Sequence, residues 1–334
     1  MALSTTERRR ITERASRVGG TNMRSAFMRT LVELAEKDDR INLLVGDLGF
    51  GVVEPFAEKF PSRFVNAGVA EQDMTGIAAG LALCGKIVFT YSIANFPTLR
   101  CFEQIRNDVC YHNANVKVVS VGGGLAYGAL GVTHHATEDI AVMRTLPNMT
   151  VVAPGDAFEA ELATRALVAQ QGPAYLRLGR SGEPRVHWDG LDFQLGKSVR
   201  LTEGSDITLI ATGTMLYTAV QVAERLSQDG IQARVLSMHT VKPLDAEAVH
   251  AAASETAAIV TIEEHSILGG LGSAVAEILA EHPEFRVPFK RLGLPPTFTS
   301  LVGSQDYLKE AYSLTVGGIL NSLAGMIESA KACQ

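Results

Sequence analysis

Short apolar, β-branched runs alternate with amphipathic stretches along almost the whole chain, and this rhythm restricts the fold more than any other feature. The runs INLLVGD (41–47), RFVNAG (63–68), KIVFTYS (86–92), VKVVSVGG (116–123) and TVVAPGD (150–156) are nearly continuous in apolar character. ITLIATG (207–213), ARVLSMHTV (233–241) and AAIVTIEEH (257–265) repeat the pattern further on. A strand that is apolar on both faces must be covered on both faces, as in a parallel sheet. MRSAFMRTLVELAEK, DAFEAELATRALVAQ and LYTAVQVAERLSQDG have the helical period that supplies such a cover. The predicted fold class is therefore α/β, with two doubly wound, mainly parallel sheets. The rhythm breaks at about 181–205, in a stretch rich in Gly, Asp and Pro, where a domain should end. The expected organisation is a charged N-terminal arm at 1–20, a first domain at 21–188, a linker at 189–204 and a second domain at 205–334.

Each domain is long enough to enclose its own core. A net charge of −6 gives neither the basic footprint of a nucleic-acid binder nor a polybasic membrane patch. Cys84, Cys101, Cys110 and Cys333 lack CxxC spacing, and no histidine cluster completes a metal-ligand pattern. They read as the reduced thiols of a cytoplasmic protein. The N-terminal TTERRRITERASR lacks an apolar h-region and contains Glu7 and Glu13, so it reads as neither a secretory signal nor a transit peptide. GIAAGLALCGKIVFT is the longest apolar stretch; it is broken by Lys86 and is too short to span a bilayer.

In open parallel sheets ligands bind beyond the carboxyl ends of the strands, so the residues just after each strand bear the functional reading. In NAGVAEQDMTGIAAGLAL (66–83) a strand ends at Asn66–Gly68 and a helix opens near Ala70, with Met74, Ile77, Ala78 and Leu81 as its expected buried stripe. Glu71 falls in the first turn, where the helix dipole favours a carboxylate. On position alone it is an ordinary first-turn glutamate. FTYSIANFPTLRCFEQIRNDVCY (89–111) reads as a strand followed by a helix with Phe102, Ile105 and Val109 in the core. The glycines of GGGLAYGALGVTHHATED (122–139) do not fit GxGxxG, which excludes a Rossmann reading.

GVAEQDMTGIAAGLAL resembles the pyrimidine-binding domain of transketolases, deoxyxylulose-phosphate synthases and the β subunits of 2-oxoacid dehydrogenases. TVKPLD (240–245) and EEHSILGGLGSAVAEIL (263–279) resemble the C-terminal domain of the same enzymes. The resemblance covers the chain from residue 20 and implies the C-terminal half of a transketolase-type enzyme that uses thiamine diphosphate. It implies that Glu71 hydrogen-bonds the cofactor's aminopyrimidine and drives its activation. Phe96 or Tyr91 would stack on that ring, and Asp47 in VGDLGFG would lie near the cofactor. His134 would match the histidine near the reactive carbon and be catalytic with Glu71, and substrate contacts would come from Arg24, Arg100, His134, His135 and Arg180; arginine suits an oxyanion because its planar fork binds it bidentately. In two places the chain departs from resembling transketolases. Leu130 stands where ketose-using members have an aspartate, and Gly122 where many have a phosphate-contacting histidine.

Full-length members also have an upstream GDG…N segment that binds Mg²⁺ and the diphosphate, and no GDG occurs in this chain. The resemblance thus implies the B-type subunit of a split transketolase. An N-terminal-half subunit with GDG…N would hold Mg²⁺ or Ca²⁺ and share the cofactor, in an α2β2 heterotetramer acting on small sugars in the cytoplasm. The alternatives are a β subunit of a 2-oxoacid dehydrogenase type, a deoxyxylulose-phosphate-synthase-like enzyme, and a non-catalytic regulatory paralogue.

Overall fold

The computed structural model describes residues 22–180 and 182–332; the expected arm at 1–20 lies outside them. The strands are β1 (Ile41–Val45), β2 (Phe64–Asn66), β3 (Ile87–Ile93), β4 (Val116–Val121), β5 (Thr150–Val152), β6 (Ala174–Leu178), β7 (Val199–Thr202), β8 (Ile207–Ala211), β9 (Ala233–Ser237), β10 (Thr240–Lys242), β11 (Ile259–Ser266) and β12 (Phe289–Leu294). They form a seven-stranded sheet in the order β10-β5-β6-β4-β3-β1-β2 and a five-stranded sheet in the order β12-β11-β8-β9-β7. All pairings are parallel except β10 with β5 and β7 with β9.

Every residue of β1, β4 and β6 is buried, as unbroken apolar runs require. The helices Met23–Ala35 and Ala157–Ala169 cover one face of the first sheet, placing Phe27, Leu31, Ala160 and Leu167 against Ile41 and Phe89. Both start on side-chain caps: Asn22 accepts from the Ser25 N–H and Asp156 from the Glu159 N–H. The other face is covered by the helix Glu71–Leu83, with Met74 and Ala78, and by the helical turns around Ile105 and Val109. The expected stripe on Glu71–Leu83 needs a correction. Met74, Thr75, Ala78 and Ala79 are buried, whereas Ile77 is 40% exposed and Leu81 only partly covered. This helix is apolar around much of its circumference, so contact with the sheet, not periodicity, selects the buried face.

The run ARVLSMHTV is two strands. Its first half, β9, lies in the second sheet; its second half, β10, crosses over and pairs with β5 at the edge of the first sheet. Within the Gly- and Asp-rich stretch, β7 pairs with β9. Below this crossing lies a buried weld between the sheets. His187 Nδ1 is 2.9 Å from Asp156 Oδ2 and its Nε2 is 3.2 Å from Glu159 Oε1. Ser237 donates to Glu159 Oε1 at 2.8 Å.

Candidate active site

The carboxyl ends of β2, β1, β3, β4 and β6, which are neighbours in that order, converge on one edge of the first sheet. Asp47 follows β1, Glu71 follows β2, Phe96 and Arg100 follow β3, His134 lies on the loop after β4, and Arg180 follows β6. The helix Met23–Ala35 begins at the same edge, since the Gly179 N–H points at the Met23 sulfur, and Arg24 is thereby brought beside the end of β6.

Glu71 is the first residue of its helix and is only 1% exposed. Its Oε2 accepts from Arg100 at 2.6 Å, and Oε1 accepts from the Ser92 hydroxyl at 3.3 Å. Gly46 leaves no spare room behind it, because a Cβ there would meet Glu71 Cγ at 3.2 Å. A carboxylate taken out of water needs such partners, since an unpaired buried charge is costly. Arg100 balances the charge, and the single long contact from Ser92 leaves Oε1 with lone-pair capacity for another hydrogen bond.

From Glu71 the side chains run in a continuous line. The Arg100 guanidinium lies 4.8 Å from the centre of the Phe96 ring. Phe96 meets the His134 ring edge-on, with centroids 5.2 Å apart. His134 is 6.2 Å from the Tyr127 ring, and the Arg180 guanidinium sits 4.8 Å from the centre of that tyrosine ring. Burial and the neighbouring His135 hold the His134 imidazole below its usual pKa, so it is neutral at physiological pH and able to accept or donate a proton. Its Nδ1 is 2.9 Å from the Thr133 hydroxyl.

Four other sequence-predicted residues stand apart from this line. Tyr91 is 2% exposed inside β3, its ring stacked on Phe27 with centroids 6.0 Å apart, and burial pushes its hydroxyl well above the usual pKa. His135 is 3% exposed; its Nε2 lies 3.3 Å from the Gly128 carbonyl, and its ring borders a separate cavity of about 150 Å³ beside the segment Leu294–Thr299. Asp47 is exposed and exchanges hydrogen bonds with Asn66. Arg24 is partly buried, with its Nε buried and unpartnered.

The sequence reading missed the residues that build the loop after β4. A Cβ on Gly122 would lie 2.1 Å from the Tyr127 ring, one on Gly123 2.5 Å from Arg177 Nε, and one on Gly124 2.6 Å from Glu264 Oε1. The run of three glycines makes room for three side chains. Glu264, from β11 of the second sheet, accepts from the Leu125 N–H at 2.6 Å, from Gln305 at 2.9 Å and from the Thr214 hydroxyl at 3.1 Å. Arg177, fully buried, pairs with Asp139 at 2.7 Å and donates to the carbonyls of Ala136 and Glu264. Asn95 donates to the His135 carbonyl at 2.6 Å, fastening the far end of the loop. Three adjacent glycines after a strand were the one available signal of such close approach.

Residues 20–184 match the transketolase pyrimidine-binding domain and residues 196–319 the transketolase C-terminal domain. The chain belongs to the transketolase family. It is 46% identical over 274 residues to the B-type subunit of the apulose-4-phosphate transketolase of Phocaeicola vulgatus, covering 81% of this chain and 87% of that relative. It is 42% identical over 301 residues to a 6-deoxy-6-sulfo-D-fructose transketolase subunit of a Clostridium species, covering 90% and 92%. Among solved structures, a split-gene transketolase described as an inactive β4 tetramer superposes with a TM-score of 0.83 at 40% identity, over 93% of this chain and 98% of that one. The transketolase of Pichia stipitis shares the fold, with a TM-score of 0.76 at 20% identity, and the chain spans 47% of it. The chain thus carries the same pair of domains, pyrimidine-binding and C-terminal, over nearly the full length of these B-type and split-gene relatives. The strand-end residues fit the aminopyrimidine end of the cofactor: a buried acid with one oxygen lightly engaged stands close to a half-buried aromatic ring. Among the described residues no group of three or more His, Cys, Asp or Glu side chains converges as a metal site.

Proposed function

We propose that this chain supplies the aminopyrimidine half of a shared thiamine diphosphate site and transfers a two-carbon ketol unit from an anionic ketose to an aldehyde. The observation that carries the reading is the unbroken line Glu71–Arg100–Phe96–His134–Tyr127–Arg180 along neighbouring strand ends. Bound thiamine diphosphate supplies a nucleophilic thiazolium carbon that stabilises the transferred carbanion. Glu71 hydrogen-bonds the aminopyrimidine through Oε1 while Arg100 holds Oε2 and fixes the carboxyl plane. Phe96 is favoured over Tyr91 as the stacking aromatic, because the Tyr91 ring is already stacked on Phe27. His134, neutral and beside Phe96, moves protons at the donor hydroxyls. Arg180 binds the anionic tail, with Arg24 nearby. Two relatives support an anionic donor, since their names specify a ketose phosphate and a ketose sulfonate.

Metal and diphosphate are assigned to an N-terminal-half subunit with a GDG…N motif, in an α2β2 assembly working in the cytoplasm. The domain division proposed is that of the sequence reading with one correction: the linker expected at 189–204 ends before β7, because Val199–Thr202 pairs with β9 in the second sheet. The test is reconstitution with that partner, thiamine diphosphate and Mg²⁺, followed by an assay of ketol transfer from D-fructose 6-phosphate or D-xylulose 5-phosphate to an aldehyde. Transfer by the pair and none by this chain is expected. Ketol transfer by the chain alone, or decarboxylation of 2-oxoacids by the pair, overturns the proposal.

A further inference from the structure

We infer that Tyr127 is a positioning residue for donor specificity: its ring face holds the Arg180 guanidinium in register with the donor's anionic end. Three observations converge on this ring. It fills the space that a side chain at Gly122 would need, since a Cβ there would approach its Cε2 to 2.1 Å and its Cδ2 to 2.3 Å. It lies under the Arg180 guanidinium at 4.8 Å and faces His134 at 6.2 Å, so it spans the gap between the two groups proposed to contact the donor. Its backbone is fastened on both sides. Leu125 N–H donates to the buried Glu264, Gly124 and Ala136 exchange two 2.9 Å hydrogen bonds, and the Gly128 N–H returns to the Leu125 carbonyl at 2.8 Å.

Arg180 itself is exposed, and among the described residues its other hydrogen bond is a 3.5 Å contact to the Ala126 carbonyl. An exposed arginine is free to adopt many rotamers, and ordering it on binding costs affinity. An aromatic face beneath the guanidinium restricts those rotamers and leaves the in-plane N–H edges pointing outward, where a phosphate or sulfonate is bound bidentately. The glycine at 122 and the tyrosine at 127 are thus one device. The glycine vacates a volume, and the ring occupies it from five residues further along the chain. The π-face does this work; the phenol hydroxyl is not needed.

The inference rests on the proposed binding of an anionic donor at Arg180, and the experiment separates the two. In the reconstituted holoenzyme, kinetics with D-fructose 6-phosphate and with uncharged 6-deoxy-D-fructose are compared for the wild type, Arg180→Ala, Tyr127→Ala, Tyr127→Phe, Gly122→Ala and the Tyr127→Ala/Arg180→Ala double variant. Arg180→Ala raises KM for the phosphate selectively; an unchanged KM there refutes anion binding at Arg180 whatever Tyr127 does. With that arm positive, Tyr127→Ala raises the phosphate KM by about two- to fivefold, the size of an exposed cation–π contact, at unchanged kcat. Tyr127→Phe behaves as wild type, and Tyr127→Ala has no further effect on KM once Arg180 is gone. Gly122→Ala, which must push the ring aside, reproduces the KM shift without removing the ring. Additive effects in the double variant, a Phe variant as impaired as Ala, or a fall in kcat at constant KM each overturn the inference. Should Gly122→Ala not fold, as judged by circular dichroism, the Phe and Ala variants at 127 decide the matter.

Discussion

Replacing His187 by alanine should destabilise the chain by about 3 kcal/mol at pH 6 and by much less near pH 10. His187 is fully buried between Asp156 and Glu159. Burial opposes charge on the ring, but the two carboxylates outweigh it and raise its pKa to about 10. Burial likewise opposes charge on the two carboxyls, and His187 outweighs it, leaving both below their ordinary range. Breaking a buried ion pair by removing one partner costs about 3–5 kcal/mol. The lower end applies here. Asp156 keeps the N–H groups of Val186, residue 187 and Glu159, and Glu159 keeps the Gly155 N–H and the Ser237 hydroxyl.

The pH dependence follows from the direction of each shift. A histidine titrating at ~6.5 when unfolded and about 10 when folded stabilises fully below ~6.5. That contribution is lost as pH rises toward 10, at up to ~1.4 kcal/mol per unit. The lowered carboxyls act in the opposite sense: their contribution is present above their unfolded pKa of about 4 and is lost on acidification. Wild-type stability should therefore peak near pH 5–6.5 and fall on both sides. Urea titrations at pH 6, 8 and 10 measure it, with an unchanged slope confirming that only stability has moved. A gap between wild type and His187→Ala that is the same at pH 6 and pH 10, or is below ~1 kcal/mol at pH 6, refutes the assignment of a charged weld.

Other outcomes follow from the site. Glu71→Gln keeps the shape but offers no transferable proton, so turnover of the reconstituted enzyme should fall about 10²–10⁴-fold with unchanged circular dichroism. Near-normal turnover removes Glu71 from its role. Arg180→Ala should raise KM for an anionic donor ~10–150-fold, the worth of a charged hydrogen bond of roughly 1.5–3 kcal/mol; an equal effect on an uncharged analogue contradicts that. Calorimetry should find weak binding of thiamine diphosphate with Mg²⁺ to this chain alone, and tight stoichiometric binding defeats the shared-site reading. Leu130 is 56% exposed, so Leu130→Asp should leave the melting temperature nearly unchanged while improving use of D-xylulose 5-phosphate. No gain in that specificity constant dissociates Leu130 from donor choice.

The architecture was legible because a two-faced apolar strand permits few environments: β1, β4 and β8 stand in the sequence as INLLV, VKVVSV and ITLIA. Glu71 was legible through its place between a strand end and a helix start. What stayed hidden depends on long-range contact. Nothing near Glu264 in the chain announces that its carboxylate reaches Leu125, and nothing near His187 announces two carboxylates about 30 residues away. β10 was concealed inside a longer apolar run because strand propensity cannot say which sheet a segment joins. Tyr127 looked like a loop tyrosine until the empty volume at Gly122 and the guanidinium of Arg180 gave it a task.

The crossing of β10 has a consequence for anyone wishing to take the chain apart. A sheet edge left bare is a template for another polypeptide. The edge of β5 is shielded here by three residues, Thr240–Lys242, that come from beyond the second sheet's β9. A fragment cut at the linker would thus lose its edge guard along with the Ser237 partner of Glu159. Such an excised pyrimidine-binding domain should self-associate through β5, and grafting a short antiparallel segment onto that edge should restore its solubility.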